Sequence, residues 1–244
     1  MTLSDKITES NFAKQLIGVT ADITSSHVKL SLQNRSLNYD ELGTDNEKLI
    51  KKTFNYYYNL TVSVKDLEMV TTFLELEDRN KIRSLYPQIE SQKDYYNYHV
   101  ENFIIRIISI ADIIGKIGHV VFQTGIEDKR CNGYTFKDKI KNTEALLSSK
   151  IEALLEHTKS IKEKRHKMLH EGDKDFTYFY SVVIFEDFTR DVDSDDAILR
   201  KGLTEEALKR EIKTIKKEIN DSVDMIVEIL EFMSGKLVET IEAI

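Results

Sequence analysis

The hydrophobic positions of this chain recur mainly at intervals of three and four residues, the spacing of amphipathic helices. The clearest example is the C-terminal segment, where isoleucine, valine, leucine and methionine occupy positions 212, 215, 219, 223, 226, 229, 230 and 233. We therefore predict a last long helix with Thr204 as its N-cap and with this apolar stripe in the protein core.

Two more long helices are predicted in the middle of the chain. Pro87 suits the first turn of a helix, and no proline or glycine follows for several turns, so the first helix should run from Pro87 to about Phe122. The second should run from about Thr143 to His170 and stop before Gly172, a suitable residue just past a helix end. Long helices joined by modest loops predict an up-down four-helix bundle.

Other segments have weaker patterns. The apolar positions of residues 46–80 predict one or two helices. Residues 26–34 alternate in polarity, which predicts a short strand. Residues 174–188 fit a helix or a strand, and we favour the helix. Residues 190–202 are expected to form a polar loop.

Composition agrees with an all-α protein. Hydrophobic residues make up 41% of the 244 positions, enough for a core, while a single proline and nine glycines are too few for a β-sandwich with many turns. We predict two parts: residues 1–86, a mainly helical extension packed on the bundle, and residues 87–244, the bundle itself.

The charge and the apolar stretches limit the cellular setting. Cys131 is the only cysteine, so no intramolecular disulfide can form, and the first residues lack the apolar stretch of a signal peptide. The most apolar stretch carries Arg106 and Asp112, which argues against a membrane span and favours the cytoplasm. The net charge of −7 argues against a protein that coats nucleic acid through bulk electrostatics, so any nucleic-acid role must rest on a local site.

A narrow polar line runs along the first long predicted helix. Its members are spaced three or four apart on an otherwise apolar segment: His99, Asn102, Arg106, Ser109, Asp112, Lys116 and His119. The line fits a solvated stripe on a surface helix, but it also fits a groove or a subunit interface, where Arg106 and Asp112 would need partners. Gly115 and Gly118 on the same segment would either allow close approach of another helix or mark a bend.

The segment KEKRHKMLHEGD, residues 162–173, concentrates cations and histidines at the end of the second predicted helix. Cations at a helix C-terminus complement the helix dipole, so the segment could be no more than a solvated helix end. His166 and His170 also have a spacing that zinc sites use, but Lys167 stands where a metalloprotease needs its glutamate. The third interpretation is phosphodiester chemistry without metal, in which His170 transfers protons and Arg165 holds a phosphate.

The sequence RHKMLHEG resembles the R-x4–6-H signature of the HEPN superfamily, the higher eukaryotes and prokaryotes nucleotide-binding domains. Arg165 matches the arginine of that signature, His170 matches its histidine, and His166 follows the arginine, where the family often has a polar residue. Upstream, YHVENFIIRIISIADIIGKI resembles the first bundle helix of a stand-alone bacterial HEPN subfamily. The resemblance covers about residues 88–240.

The resemblance implies a metal-independent endoribonuclease with no cofactor that acts as a homodimer, with the arginine and histidine of both subunits at one shared cleft. Arg165 and His170 would then be catalytic, and His166, Arg106, Asp112 and Asn102 would support them. Related proteins serve in phage defence, toxin–antitoxin systems or stress responses, which would make an antitoxin a partner. Others are non-catalytic binding or dimerisation modules, for example partners of nucleotidyltransferases, and this alternative stays open here.

Overall fold

The structure, a computed structural model, describes residues 1–34, 43–75, 92–170 and 195–242. All regular secondary structure in these ranges is helical, so the predicted all-α class is confirmed. The described helices are α1 (Leu3–Thr8), α2 (Asn11–Asn34), α3 (Asp45–Leu74), α4 (Gln92–Val121), α5 (Gly133–Ile140), α6 (Ala145–His170) and α7 (Asp195–Glu242). A 3-10 turn, Asp128–Arg130, precedes α5.

The predicted strand at residues 26–34 is wrong, because this segment lies inside α2. Leu30 and Leu32 produced its alternating pattern, yet both side chains are largely exposed. The alternation therefore does not mark one buried face. His27 and Ser31, which are polar, are the buried residues of the segment and follow helical spacing.

The start predicted for the last helix is also wrong. The helix α7 begins at Asp195, so Thr204 lies inside it and residues 195–202 are helical rather than a polar loop. Residues 174–188, Pro87 and the predicted boundary after residue 86 lie outside the described residues.

The chain forms two compact units that do not follow the order of the sequence. Unit 1 contains residues 1–65, 109–157 and 222–244, and unit 2 contains residues 66–108 and 158–221. The predicted apolar stripe of α7 is confirmed, since its members in both units are buried.

In unit 1, an ion pair and hydrogen bonds connect the first two helices to the C-terminal part of α7. Lys6 of α1 pairs with Asp224 at 2.7 Å. The backbone N–H and side-chain amide of Asn11, at the start of α2, both donate to the Glu231 carboxylate, at 2.7 and 2.9 Å. These bonds satisfy a donor that a helix N-terminus leaves free. Packing of Phe12 of α2 on Tyr57 of α3 extends the core.

A close approach of α4 and α5 also shapes unit 1. A side chain at Gly115 would meet the backbone of Asn132 and Gly133, and one at Gly118 would meet the Phe136 ring. The two glycines therefore allow the close approach that was one of their two predicted roles. Asn132 caps α5, and its side chain accepts from the Thr135 N–H at 3.0 Å.

Unit 2 has its own core of apolar side chains from four helices. Its fully or almost fully buried residues are Leu67, Val70, Leu74, Tyr95, Tyr96, Val100, Phe103, Ile104, Ile107, Ile161, Ile212, Ile215 and Ile219. An ion pair between Lys216 of α7 and Glu75, just after α3, lies on the surface of this unit.

Candidate functional site

The Arg-His motif lies in the last turns of α6. The described part of this helix reaches His170 and belongs there to unit 2, while the predicted stop before Gly172 lies outside the described residues. The side chains of residues 164–170 lie outside the described part of the structure, so the candidate residues Arg165, His166 and His170 are placed by the helix backbone alone. In an ideal helix, positions 165 and 170 are about 140° apart around the axis.

The buried face of α6 leads towards the motif. Buried residues recur at three- and four-residue intervals along it: Leu147, Ile151, Leu154, Leu155, Thr158 and Ile161. Position 165 comes four residues after Ile161 and continues this register. The arginine of the motif therefore occupies a register position that buried residues, most of them apolar, occupy in the earlier turns.

The polar line on α4 divides between the two units. Asn102 and Arg106 belong to unit 2, the unit that also contains the motif, whereas Asp112 belongs to unit 1. The structure thus assigns two of the supporting candidates on α4 to the compact unit of the motif, and the third to the other unit.

Arg106 forms an ion pair within unit 2. Its guanidinium lies 2.9 Å from the Asp66 carboxylate of α3, and 41% of its side chain is exposed. A guanidinium has five N–H donors, so this exposed group can bind a second anion beside Asp66. The Asn102 side chain instead donates to the Tyr98 carbonyl at 3.0 Å, a bond within α4.

Asp112 contacts the start of α5. Its carboxylate accepts a 3.4 Å hydrogen bond from the backbone N–H of Gly133, the first residue of that helix. A carboxylate is favoured there because it lies at the positive end of the helix dipole. A role for Asp112 in substrate binding stays a prediction.

His99, the first member of the polar line, is enclosed by aromatic rings. The imidazole stacks on Phe73 at 4.9 Å and meets Tyr95 edge-on at 4.5 Å. Burial lowers the pKa of His99 to about 4, so the ring is neutral at neutral pH.

A hydrogen-bonded cluster around His119 was not foreseen from the sequence. One ring nitrogen of His119, Nδ1, lies 2.8 Å from the Thr124 hydroxyl, and the other lies 3.3 Å from Asp128. Lys52 of α3 donates to both oxygens of Asp128, at 2.8 and 2.6 Å. Burial lowers the pKa of His119 although Asp128 opposes the shift, and the bond from Lys52 lowers the pKa of Asp128.

This cluster ties α3, the end of α4 and the 3-10 turn together within unit 1. The only sequence signal for it was the place of His119 at the end of the polar line, because its partners are 67 positions earlier (Lys52) and 9 later (Asp128) in the chain. The cluster belongs to a different compact unit from the motif.

Neither a metal site nor a membrane span is found among the described residues. In those ranges, no three or more histidine, cysteine, aspartate or glutamate side chains converge as metal ligands. Cys131 is buried, which raises its pKa to about 11. No described helix combines the length and the apolarity that crossing a membrane requires.

The all-α fold and an Arg-His motif at the end of a long helix are the features of a HEPN-domain protein. A family model described as Cthe2314-like HEPN matches residues 13–242, and the chain therefore belongs to this family. The match extends further towards the N-terminus than the motif-based resemblance, since it includes most of residues 1–86. No curated protein and no solved structure matches the chain.

Proposed function

We propose that this protein is a metal-independent endoribonuclease of the HEPN type, with Arg165 and His170 as its catalytic residues. The observation that carries the proposal is the presence of this Arg-His pair in the last turns of α6 in a chain that belongs to a HEPN family. Phage defence, a toxin–antitoxin system or a stress response would use such an activity, with an antitoxin as the partner in the second case.

The chemistry needs a base, an acid and a positive charge. His170 takes the proton of a ribose 2′-hydroxyl, whose oxygen then attacks the adjacent phosphorus. The bond from phosphorus to the 5′-oxygen breaks, and a second imidazole protonates that leaving oxygen. The products are a 2′,3′-cyclic phosphate and a 5′-hydroxyl. Arg165 stabilises the charge that grows on the phosphate oxygens.

A homodimer would supply the second imidazole. HEPN domains commonly dimerise, and two copies of the motif facing one cleft would bring together two arginines and two histidines. Positions 165 and 170 are about 140° apart around the helix axis, so they do not share one face of the helix. A single copy would therefore not easily bring both residues to one phosphate, whereas two copies on opposite sides of the phosphate could.

The residues that would support Arg165 and His170 belong to unit 2. Arg106 would contact a further phosphate while Asp66 holds its guanidinium, and His166 and Asn102 would add hydrogen bonds. Residues 159–167 carry five cations, namely Lys159, Lys162, Lys164, Arg165 and Lys167, against one acid, Glu163. This local excess would attract RNA to a protein whose net charge is −7.

The test is RNA cleavage in EDTA by the purified protein and by His170→Ala and Arg165→Ala variants. We expect the wild type to leave 2′,3′-cyclic phosphate ends and each variant to lose at least a hundredfold in rate. A substrate with one 2′-deoxyribose should resist cleavage at that position. The control is His157→Ala, which removes a histidine of the same helix outside the motif and should keep full activity.

The folding and oligomeric state of each variant must match the wild type, by circular dichroism and sedimentation. Equal cleavage by wild type and His170→Ala would reveal a contaminating nuclease and refute the assignment. A stable wild-type dimer that cuts no RNA would favour a non-catalytic HEPN module, such as the partner of a nucleotidyltransferase.

A further inference from the structure

Tyr98 differs sharply from the two tyrosines just before it. Tyr95 and Tyr96 are 1% and 2% exposed and belong to the core of unit 2, whereas Tyr98 is 60% exposed. An exposed ring beside a buried aromatic core offers a flat apolar surface that a ligand can cover.

The exposed ring packs against a group of aromatic side chains, and we name the group with Tyr98 the Tyr98 cluster: Phe73, Tyr95, Tyr98 and His99. The ring of Tyr98 meets His99 edge-on, with centroids 5.2 Å apart and planes at 77°. His99 in turn stacks on Phe73, and the Tyr95 hydroxyl donates to the Phe73 carbonyl at 2.8 Å. The contact with His99 restricts the Tyr98 ring, which lowers the rotational entropy that the ring loses when a ligand binds.

The groups beside Tyr98 on α4 suit a nucleic-acid strand. Ile105 comes seven residues later on the same helix face and is also exposed. Arg106 follows it with a partly exposed guanidinium. An exposed aromatic ring with a cation about two helical turns away on the same helix is a combination that single-stranded nucleic acid can bind, through base stacking and phosphate contact. The cation-rich segment 159–167 belongs to the same unit.

We propose that Tyr98 is a stacking platform for an unpaired nucleobase of RNA, bound in the compact unit that carries the Arg-His motif. The identity of the ligand as RNA rests on the proposed function, but the platform itself requires only binding. Its contribution is to substrate affinity and not to the bond-breaking step, because the ring supplies neither a base nor a charge to the phosphate.

The experiment measures binding separately from cleavage. Fluorescence anisotropy is recorded with a labelled single-stranded 2′-O-methyl RNA of mixed sequence, which lacks the attacking hydroxyl. We expect Tyr98→Ala to weaken binding about tenfold or more and Tyr98→Phe to bind like the wild type, since stacking needs the ring and not the hydroxyl. The matched control is Tyr58→Ala on α3 of unit 1, whose tyrosine is 58% exposed and which should bind normally.

Several outcomes would overturn the platform. These are an absence of wild-type binding, equal binding by Tyr98→Ala and Tyr58→Ala, and a loss in Tyr98→Phe as large as in Tyr98→Ala. Sedimentation of the same variants tests one further outcome that would overturn the platform. If Tyr98→Ala self-associates more weakly and binds RNA normally at high protein concentration, the ring belongs to a protein interface.

Different results would refute the stacking role of Tyr98 and the ribonuclease activity. Tyr98-dependent binding by a wild-type protein that never cuts RNA would refute the ribonuclease and leave the platform standing. Conversely, cleavage that depends on His170 but shows the same KM in Tyr98→Ala as in wild type would refute the platform and leave the ribonuclease standing.

Discussion

His99 shows how burial decides the chemistry of a single residue. In the sequence, His99 is one of seven polar residues in the polar line of α4, and one interpretation of that line is a solvent-exposed stripe. In the structure its ring is enclosed by Phe73 and two tyrosines, and burial is the cause of its low pKa, about 4. A histidine held neutral in this way makes folding stability depend on pH.

The direction of this pH dependence follows from the pKa of His99 in the unfolded and in the folded protein. The unfolded histidine takes up a proton near pH 6.5, while the folded one does so only near pH 4. Lowering the pH through this range therefore favours the unfolded state. We expect His99 to account for a loss of about 3 kcal/mol between pH 7 and pH 4.

Urea unfolding at several pH values, for the wild type and His99→Phe at one protein concentration, checks this value. Phenylalanine keeps an aromatic ring in the cluster and cannot be protonated, so the variant should lose about 3 kcal/mol less over that range. Carboxylates that titrate in the same range are common to both proteins and cancel in the difference. Parallel pH profiles of the two proteins would contradict the expectation.

At the residue scale, the sequence was sufficient for some site residues and not for others. Arg165 and His170 could be found because both lie in one short segment and match a family signature. The cluster of Lys52, His119 and Asp128 could not, because its members are distant in the sequence and no local pattern links them. The same limit applies to Asp66, the partner of Arg106 from another helix.

At the scale of helices, sequence patterns succeeded where a buried apolar stripe was long. The helices α3, α6 and α7 were all predicted, since each repeats apolar residues at helical spacing over several turns. The pattern failed for α2, whose exposed Leu30 and Leu32 imitate the alternation of a strand. The start of α7 was misplaced because residues 195–202 include four charged residues and a glycine, and Thr204 offered a plausible cap further on.

The contact of α4 with the start of α5 leads to a prediction about glycine. A methyl group at Gly115 would lie 2.6 Å from the Gly133 nitrogen and would also overlap the Asn132 carbonyl. These are backbone atoms and cannot rotate away. We expect Gly115→Ala to lower the free energy of unfolding by about 1–3 kcal/mol or more.

Gly235→Ala is the matched control for this prediction. Gly235 lies inside α7 with nothing within 4 Å of the position that a methyl group would take. Because alanine favours the helix more than glycine, this variant should be more stable by about 0.5–1 kcal/mol. Urea denaturation of both variants checks the pair, and changes of the same sign would contradict the proposed close contact.

At the scale of the whole molecule, the proposed ribonuclease requires a second copy. If the active cleft forms only in the dimer, the specific activity should rise with protein concentration in proportion to the dimer fraction. Cleavage rates and sedimentation measured over the same dilution series check this. Full activity at concentrations where only monomer sediments would show that one copy suffices.

The two compact units could not be foreseen from the sequence. The prediction divided the chain into consecutive parts, 1–86 and 87–244, because sequence patterns are read in chain order. Contacts such as Lys6 with Asp224 depend on how helices return to one another, and no local pattern encodes that return.

The interleaving of the units has a consequence for synthesis on the ribosome. The bonds from Lys6 to Asp224 and from Asn11 to Glu231 join positions 218 and 220 residues apart. The helices α1 and α2 are therefore synthesised more than 200 residues before the partners that they contact. Unit 2, which carries the motif, likewise needs residues up to 221. We therefore expect neither unit to fold completely, and the proposed RNA cleavage to be impossible, until these late segments of the sequence have been translated.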